Sequence, residues 1–200
     1  MAPRLRLALV VTGILALAAI GGVLAFAVGE QTTSGVAFEG ATRPASIPST
    51  RIDLPDEHGE PVRMRDMRGK PVVVTFLYTT CEDTCPLTAA QIRGALDELG
   101  HDVPVIAVSV DPANDTATRA RSYTAKQKMN GRMRWVLGGR GGLQRIWRAF
   151  GIQPQSDDEE HTASTVLLDG TGRQRVGFST DVLTAEGLAH DIALLEDERR

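Results

Sequence analysis

Two uncharged, β-branched runs constrain this chain more than any other feature: PVVVTFLY at 71–78 and VPVIAVSV at 103–110. Neither alternates apolar with polar residues, so each reads as a strand buried on both faces, and such strands need helices on both sides of their sheet. The intervening sequence supplies them. LTAAQIRGALDELG, with apolar residues at 87, 92, 95, 96 and 99, predicts a helix ending at Gly100. DPANDTATRARSYTAKQKM predicts a turn, an N-cap at Asp115 or Thr116, and a second helix. MRWVLG (133–138) reads as a short strand and GLQRIWRAFG (142–151) as an amphipathic helix. HTASTVLLD and RQRVGFS, joined by GTG, form a hairpin, and Thr184 caps a last helix. Upstream, RIDLPDEHGEPVRMRDM reads as two strands around a turn at His58-Gly59. Buried strands linked by helices predict an α/β sandwich around one central mixed sheet.

Two hundred residues allow one such domain and something short. The chain has 22 Lys and Arg against 25 Asp and Glu. That balance leaves no basic face for nucleic acid. The charges are unevenly placed: residues 1–29 contain no acid, and Arg4 and Arg6 are their only charged side chains. Leu7–Val28 then runs for 22 residues without a charge. A helix of that length crosses the roughly 30 Å apolar core of a bilayer. Ala25-Phe26-Ala27 matches a signal cleavage site, but the run exceeds a usual signal core. Residues 1–28 are therefore expected to be a transmembrane anchor, with a cleaved signal as the alternative. Arg4 and Arg6 hold the short tail inside, which sends the rest out of the cytoplasm. Residues 29–50, rich in Gly, Ser, Thr and Pro, read as a linker, and residues 51–200 as the domain.

Only two cysteines are present, Cys81 and Cys85, which excludes a disulfide-rich scaffold and a multi-finger zinc protein. They sit where a buried strand meets a helix. Free N–H groups at a helix start favour thiolate, so both sulfurs are expected to be activated. The C-x-x-x-C spacing puts them at i and i+4, on one helical face, where both can face one ion. A simple stabilising disulfide would close a very short loop. Of the four histidines, His58 precedes a turn glycine, His101 follows a helix-ending glycine, and His190 belongs to the last helix. His161, after the acidic run Asp157–Glu160 and just before a strand, is the candidate ligand. Two thiolates and an imidazole form a soft, low-coordinate set that suits Cu(I) and also takes Cu(II) or zinc.

Four motifs in order resemble the SCO/SenC proteins, thioredoxin-like copper-delivery factors for cytochrome c oxidase. They are GKPVVVTFLYTTCEDTCPLT, VSVDPANDT (108–116), RWVLGG (134–139) and HTASTVLLDGTG (161–172). The resemblance implies a thioredoxin-like fold from about Leu54 onward, with Cys81, Cys85 and His161 as copper ligands. It implies a copper ion as the cofactor, as Cu(I), Cu(II) or both. With the 7–28 run as anchor, the protein is expected in a bacterial cell membrane, single-pass, with the domain on the extracytoplasmic side. The implied partners are an oxidase subunit or another copper chaperone, and a thiol reductant. Asp83 matches the acid between the cysteines, and Asp111 matches the acid of the second motif, with a structural or partner-facing role. Glu82 stands where the family usually has Pro, and its charge is expected to raise the Cys81 thiol pKa. The DDEE run before His161 is a second departure. A thiol–disulfide oxidoreductase is the competing reading, with Cys81 attacking and Cys85 resolving. A peroxiredoxin-like peroxidase needs Thr three residues before its attacking Cys and Pro four before that. Cys81 has Tyr78 and Val74 there, and Cys85 has Glu82 and Tyr78.

Overall fold

The computed structural model describes residues 37–48, 51–154 and 164–198. The elements run β1 (Ala41–Thr42), β2 (Asp53–Pro55), β3 (Pro61–Arg63), β4 (Val72–Leu77), α1 (Thr84–Leu99), β5 (Val105–Ser109), α2 (Ala117–Lys126), β6 (Met133–Val136), α3 (Arg140–Phe150), β7 (Ser164–Leu168), β8 (Gln174–Ser179) and α4 (Ala185–Asp197). Six strands form one sheet in the order β1-β8-β7-β4-β5-β6. β4, β5 and β6 are parallel, whereas β7, β8 and β1 add antiparallel neighbours. β2 and β3 form a separate hairpin that turns at Gly59, whose φ is +85°.

Alternation along β4 divides the core in two. Val73 and Leu77 join Ile92, Leu96, Tyr123, Trp135, Leu188 and Ile192 on the face covered by α1, α2 and α4. Val72, Val74 and Phe76 join Ile52, Val62, Ile146, Trp147 and Phe150 on the face covered by α3 and the hairpin. Every residue of β4 and β5 is buried, as their unbroken apolar runs require. The helix ends follow the sequence signals. Gly100 ends α1 and Gly151 ends α3, both at φ +72°. The hydroxyls of Thr116 and Thr184 accept the N–H groups of Arg119 and Gly187.

Two expectations need correction. Leu87 was expected on the apolar face of α1 but is 51% exposed. The buried stripe runs through Cys85, Thr88, Ala89, Ile92, Ala95 and Leu96, and Leu87 falls outside it. The stretch expected to be linker contributes β1, with Ala41 and Thr42 paired to Gly177 and Val176. Asp191, fully buried in α4, accepts the N–H groups of Glu39 and Gly40 at 2.8 and 2.9 Å and so fastens this strap. A Cβ on Gly40 would lie 2.5 Å from Cγ1 of Val176, so only glycine permits that approach. Among the described residues no helix is long and apolar enough to cross a membrane. The 7–28 run lies outside the described residues.

Candidate metal centre

The C-terminal end of β4 carries the two cysteines. Beyond Leu77 the chain turns, and the N–H of Cys81 donates to the Tyr78 carbonyl at 3.3 Å. This turn is tied to its neighbour by Asp115, a buried carboxylate between β5 and α2. Its Oδ1 accepts the Thr79 N–H at 2.7 Å and its Oδ2 accepts the Ser109 hydroxyl at 2.5 Å. Burial pushes the Asp115 carboxyl up, against the opposing effect of those hydrogen bonds. The sequence offered Asp115 only as an alternative N-cap; Thr116 takes that place and Asp115 instead clamps the approach to Cys81. Its signal was the second acid of the S-V-D-P-x-x-D-T stretch. Asp111, the first acid, organises the turn: its carboxylate accepts from the Asn114 amide at 2.8 Å.

Only Cys85 is helical. Cys81 lies two residues ahead of the α1 N-cap, Asp83, so the pair does not share a helical face as the spacing suggested. The two still converge, because the backbone N–H of Cys85 points at Sγ of Cys81, 3.2 Å away. Thr84 Oγ1 adds a contact to the same sulfur at 3.4 Å. Both thiols are free, Cys81 being 8% and Cys85 1% exposed. Burial alone would raise the Cys81 thiol. Hydrogen bonds from the Cys85 thiol, Thr84, the Cys85 N–H and Tyr78 outweigh it and hold Cys81 below the ordinary thiol range. Burial, with Cys81 beside it, drives Cys85 far up. The expectation that both sulfurs are activated therefore holds for Cys81 alone. The Cys81 thiol lies below the ordinary range even with Glu82 beside it. Glu82 is exposed, and none of the dominant contributions to Cys81 comes from it.

The helix N-terminus thus favours the thiolate form at Cys81, beside the more deeply buried Cys85. Two sulfurs so placed fit a soft cation by their chemistry. His161 lies outside the described residues, and so does the DDEE run. Among the described residues no third His, Cys, Asp or Glu completes a group with the cysteines. The other histidines are occupied away from them. His58 lies 3.7 Å from Glu57, His101 bonds Glu196 at 3.0 Å, and His190 bonds Asp191 at 3.0 Å.

A parallel βαβ core extended by an antiparallel hairpin, with a dithiol at a strand–helix junction, defines a thioredoxin-like α/β protein. The chain belongs to the SCO1/SenC family, whose model matches residues 41–195. It is similar to ScoI of Bradyrhizobium japonicum, solved with copper bound: 27% identity, TM-score 0.62, 72% of this chain and 97% of that one. It is 39% identical to protein SenC of Rhodobacter capsulatus over 74 residues, 36% of this chain and 34% of that protein. The fold also matches BsSco, a member of the Sco family of cytochrome c oxidase assembly proteins in which a disulfide switch was identified. There the identity is 18% and the TM-score 0.66, over 78% of this chain and 98% of that one.

Proposed function

We propose that this protein binds copper and delivers it to a copper site of a respiratory cytochrome c oxidase during assembly. Cys81 and Cys85 supply two sulfurs and His161 the third ligand. Residues 1–28 anchor the chain in the cell membrane, with the domain on the extracytoplasmic side. An oxidase subunit receives the metal, another copper chaperone supplies it, and a thiol reductant keeps the pair reduced. The observation that carries this reading is the convergence of two free cysteines, with the Cys85 N–H on Sγ of Cys81 at 3.2 Å. The copper-bound ScoI relative supports it, as does the soft donor set. Anaerobic Cu(I) titration of the reduced chain tests it. One copper per chain is expected; Cys81→Ala or Cys85→Ala abolishes tight binding, and His161→Ala weakens it. Unchanged binding in all three variants overturns the reading.

A specific observation also favours the second reading, reduction of client cysteines before metallation. The two thiols are unequal. Cys81 has the lowered pKa of an attacking sulfur, whereas Cys85 is buried and stays protonated until an intermediate brings a disulfide to it. The same reduced pair serves both roles. The Cys81 and Cys85 sulfurs bind copper only when free, so oxidation excludes the metal.

A further inference from the structure

Beside Cys81 lies an open groove of about 630 Å³, between the 79–86 segment and α2. Its helix wall is built from Arg119, Ser122, Tyr123 and Lys126, whose i, i+3, i+4, i+7 spacing puts them on one face. Two buried hydroxyls belong to residues lining it, Thr79 Oγ1 and Tyr123 Oη, and neither has a hydrogen-bond partner among the described residues. Tyr123 is only 7% exposed and its ring packs edge-on to Trp135 at 5.0 Å, so the hydroxyl is held in place. Arg119 spends one guanidinium N–H on the Asn114 carbonyl at 3.1 Å and keeps its other donors. No ion pair engages Arg119 or Lys126 among the described residues. The one acid lining the groove, Glu82, lies in the cysteine-bearing segment opposite the helix wall.

We infer that this groove receives an acidic segment of a partner polypeptide whose cysteine meets Cys81, with a partner carboxylate on the α2 wall. Arg119 and Lys126 attract the carboxylate, and Glu82 repels it from the Cys81 side. The groove thereby orients a partner thiol or disulfide toward the metal-binding sulfur. This rests on the proposed reduction of client cysteines, with Cys81, the groove-lining and more exposed of the two thiols, as the attacking member.

Small disulfides of different charge test it on the full-length chain carrying Cys85→Ser, where the chemistry stops after one step. The Cys81 thiolate attacks one sulfur of RS–SR; a Cys81–S–SR bond forms, the S–S bond breaks, and RS⁻ leaves with the electron pair. Cys81 is oxidised as the leaving sulfur is reduced. The probes are dithiodipropionate (anionic), hydroxyethyl disulfide (neutral) and cystamine (cationic), each rate being divided by its rate with a simple free thiol. The anionic probe is expected to react about tenfold faster than the cationic one, the low end of electrostatic steering. Molar salt should erase most of that preference. Arg119→Glu with Lys126→Glu reverses it, the neutral probe serving as the reference for any change in the Cys81 thiol itself. If the neutral probe reacts but the charge preference is absent, or survives the double substitution, the groove proposal is wrong and the reactive-thiol reading stands. If none of the three reacts, the reactive-thiol reading falls and the groove proposal with it.

Discussion

At the scale of single residues, the dithiol is an unequal pair made by position. Cys81 and Cys85 are four apart, yet one faces the helix N-terminus and the other is packed beneath it. Hydrogen-bond donors hold Cys81 low against the opposing effect of its burial. Alkylation of the copper-free chain against pH should therefore show Cys81 reacting from below the ordinary thiol pKa while Cys85 stays silent. Thr84→Val should move the Cys81 titration upward, because a donor is lost. Glu82→Gln should leave it in place; a downward shift would restore the electrostatic role expected from sequence. Since protons and copper compete for the same sulfurs, apparent copper affinity should fall as pH drops. Asp115 gives a second test. Asp115→Ala strands the Thr79 N–H and the Ser109 hydroxyl in a buried place, at a cost of about 1–3 kcal/mol. Chemical denaturation should show that loss, with weaker copper binding because the turn before Cys81 loses its clamp.

At the scale of elements, the β2–β3 hairpin depends on charged groups for its docking. Glu57 accepts the Trp135 N–H of β6 at 2.6 Å, and Asp56 meets Arg134 through Nε at 2.8 Å and Nη2 at 2.7 Å. Burial opposes ionisation of Asp56. Arg134 and the N–H groups of His58 and Glu60 overcome it and hold the carboxyl below its usual value. A carboxyl lowered on folding stabilises the native state fully above its unfolded pKa, near 3.9, and loses that contribution as pH falls through the folded value. Wild type should thus exceed Asp56→Asn in stability by about 1–3 kcal/mol at pH 7, and the gap should narrow at pH 3. Equal gaps at both pH values in urea melts would contradict this. The hairpin strands were legible from their turn at His58-Gly59. Their docking was not, because it joins carboxylates to a strand nearly eighty residues away.

At the scale of the molecule, the strands and helices place the dithiol at one end of a buried parallel core. The membrane topology proposed for the chain is tested by a reporter or cysteine-accessibility assay at residue 100; a cytoplasmic location there would overturn it. The basis is local: Arg4 and Arg6 before a 22-residue uncharged run. The sequence by itself determined the α/β sandwich, the helix cap at Thr184, the glycine ends at 100 and 151, and the candidacy of the cysteines. Those signals are short-range, written in periodicity and in residue types that only certain backbone positions accept. Only the tertiary structure decided that residues 41–42 are a strand held by Asp191, that Leu87 faces solvent, that Thr116 is the cap while Asp115 clamps the Cys81 turn, and that Cys85 is buried and unlike Cys81. Each of these depends on which distant group approaches, and burial and hydrogen bonding between remote segments leave no local pattern to read.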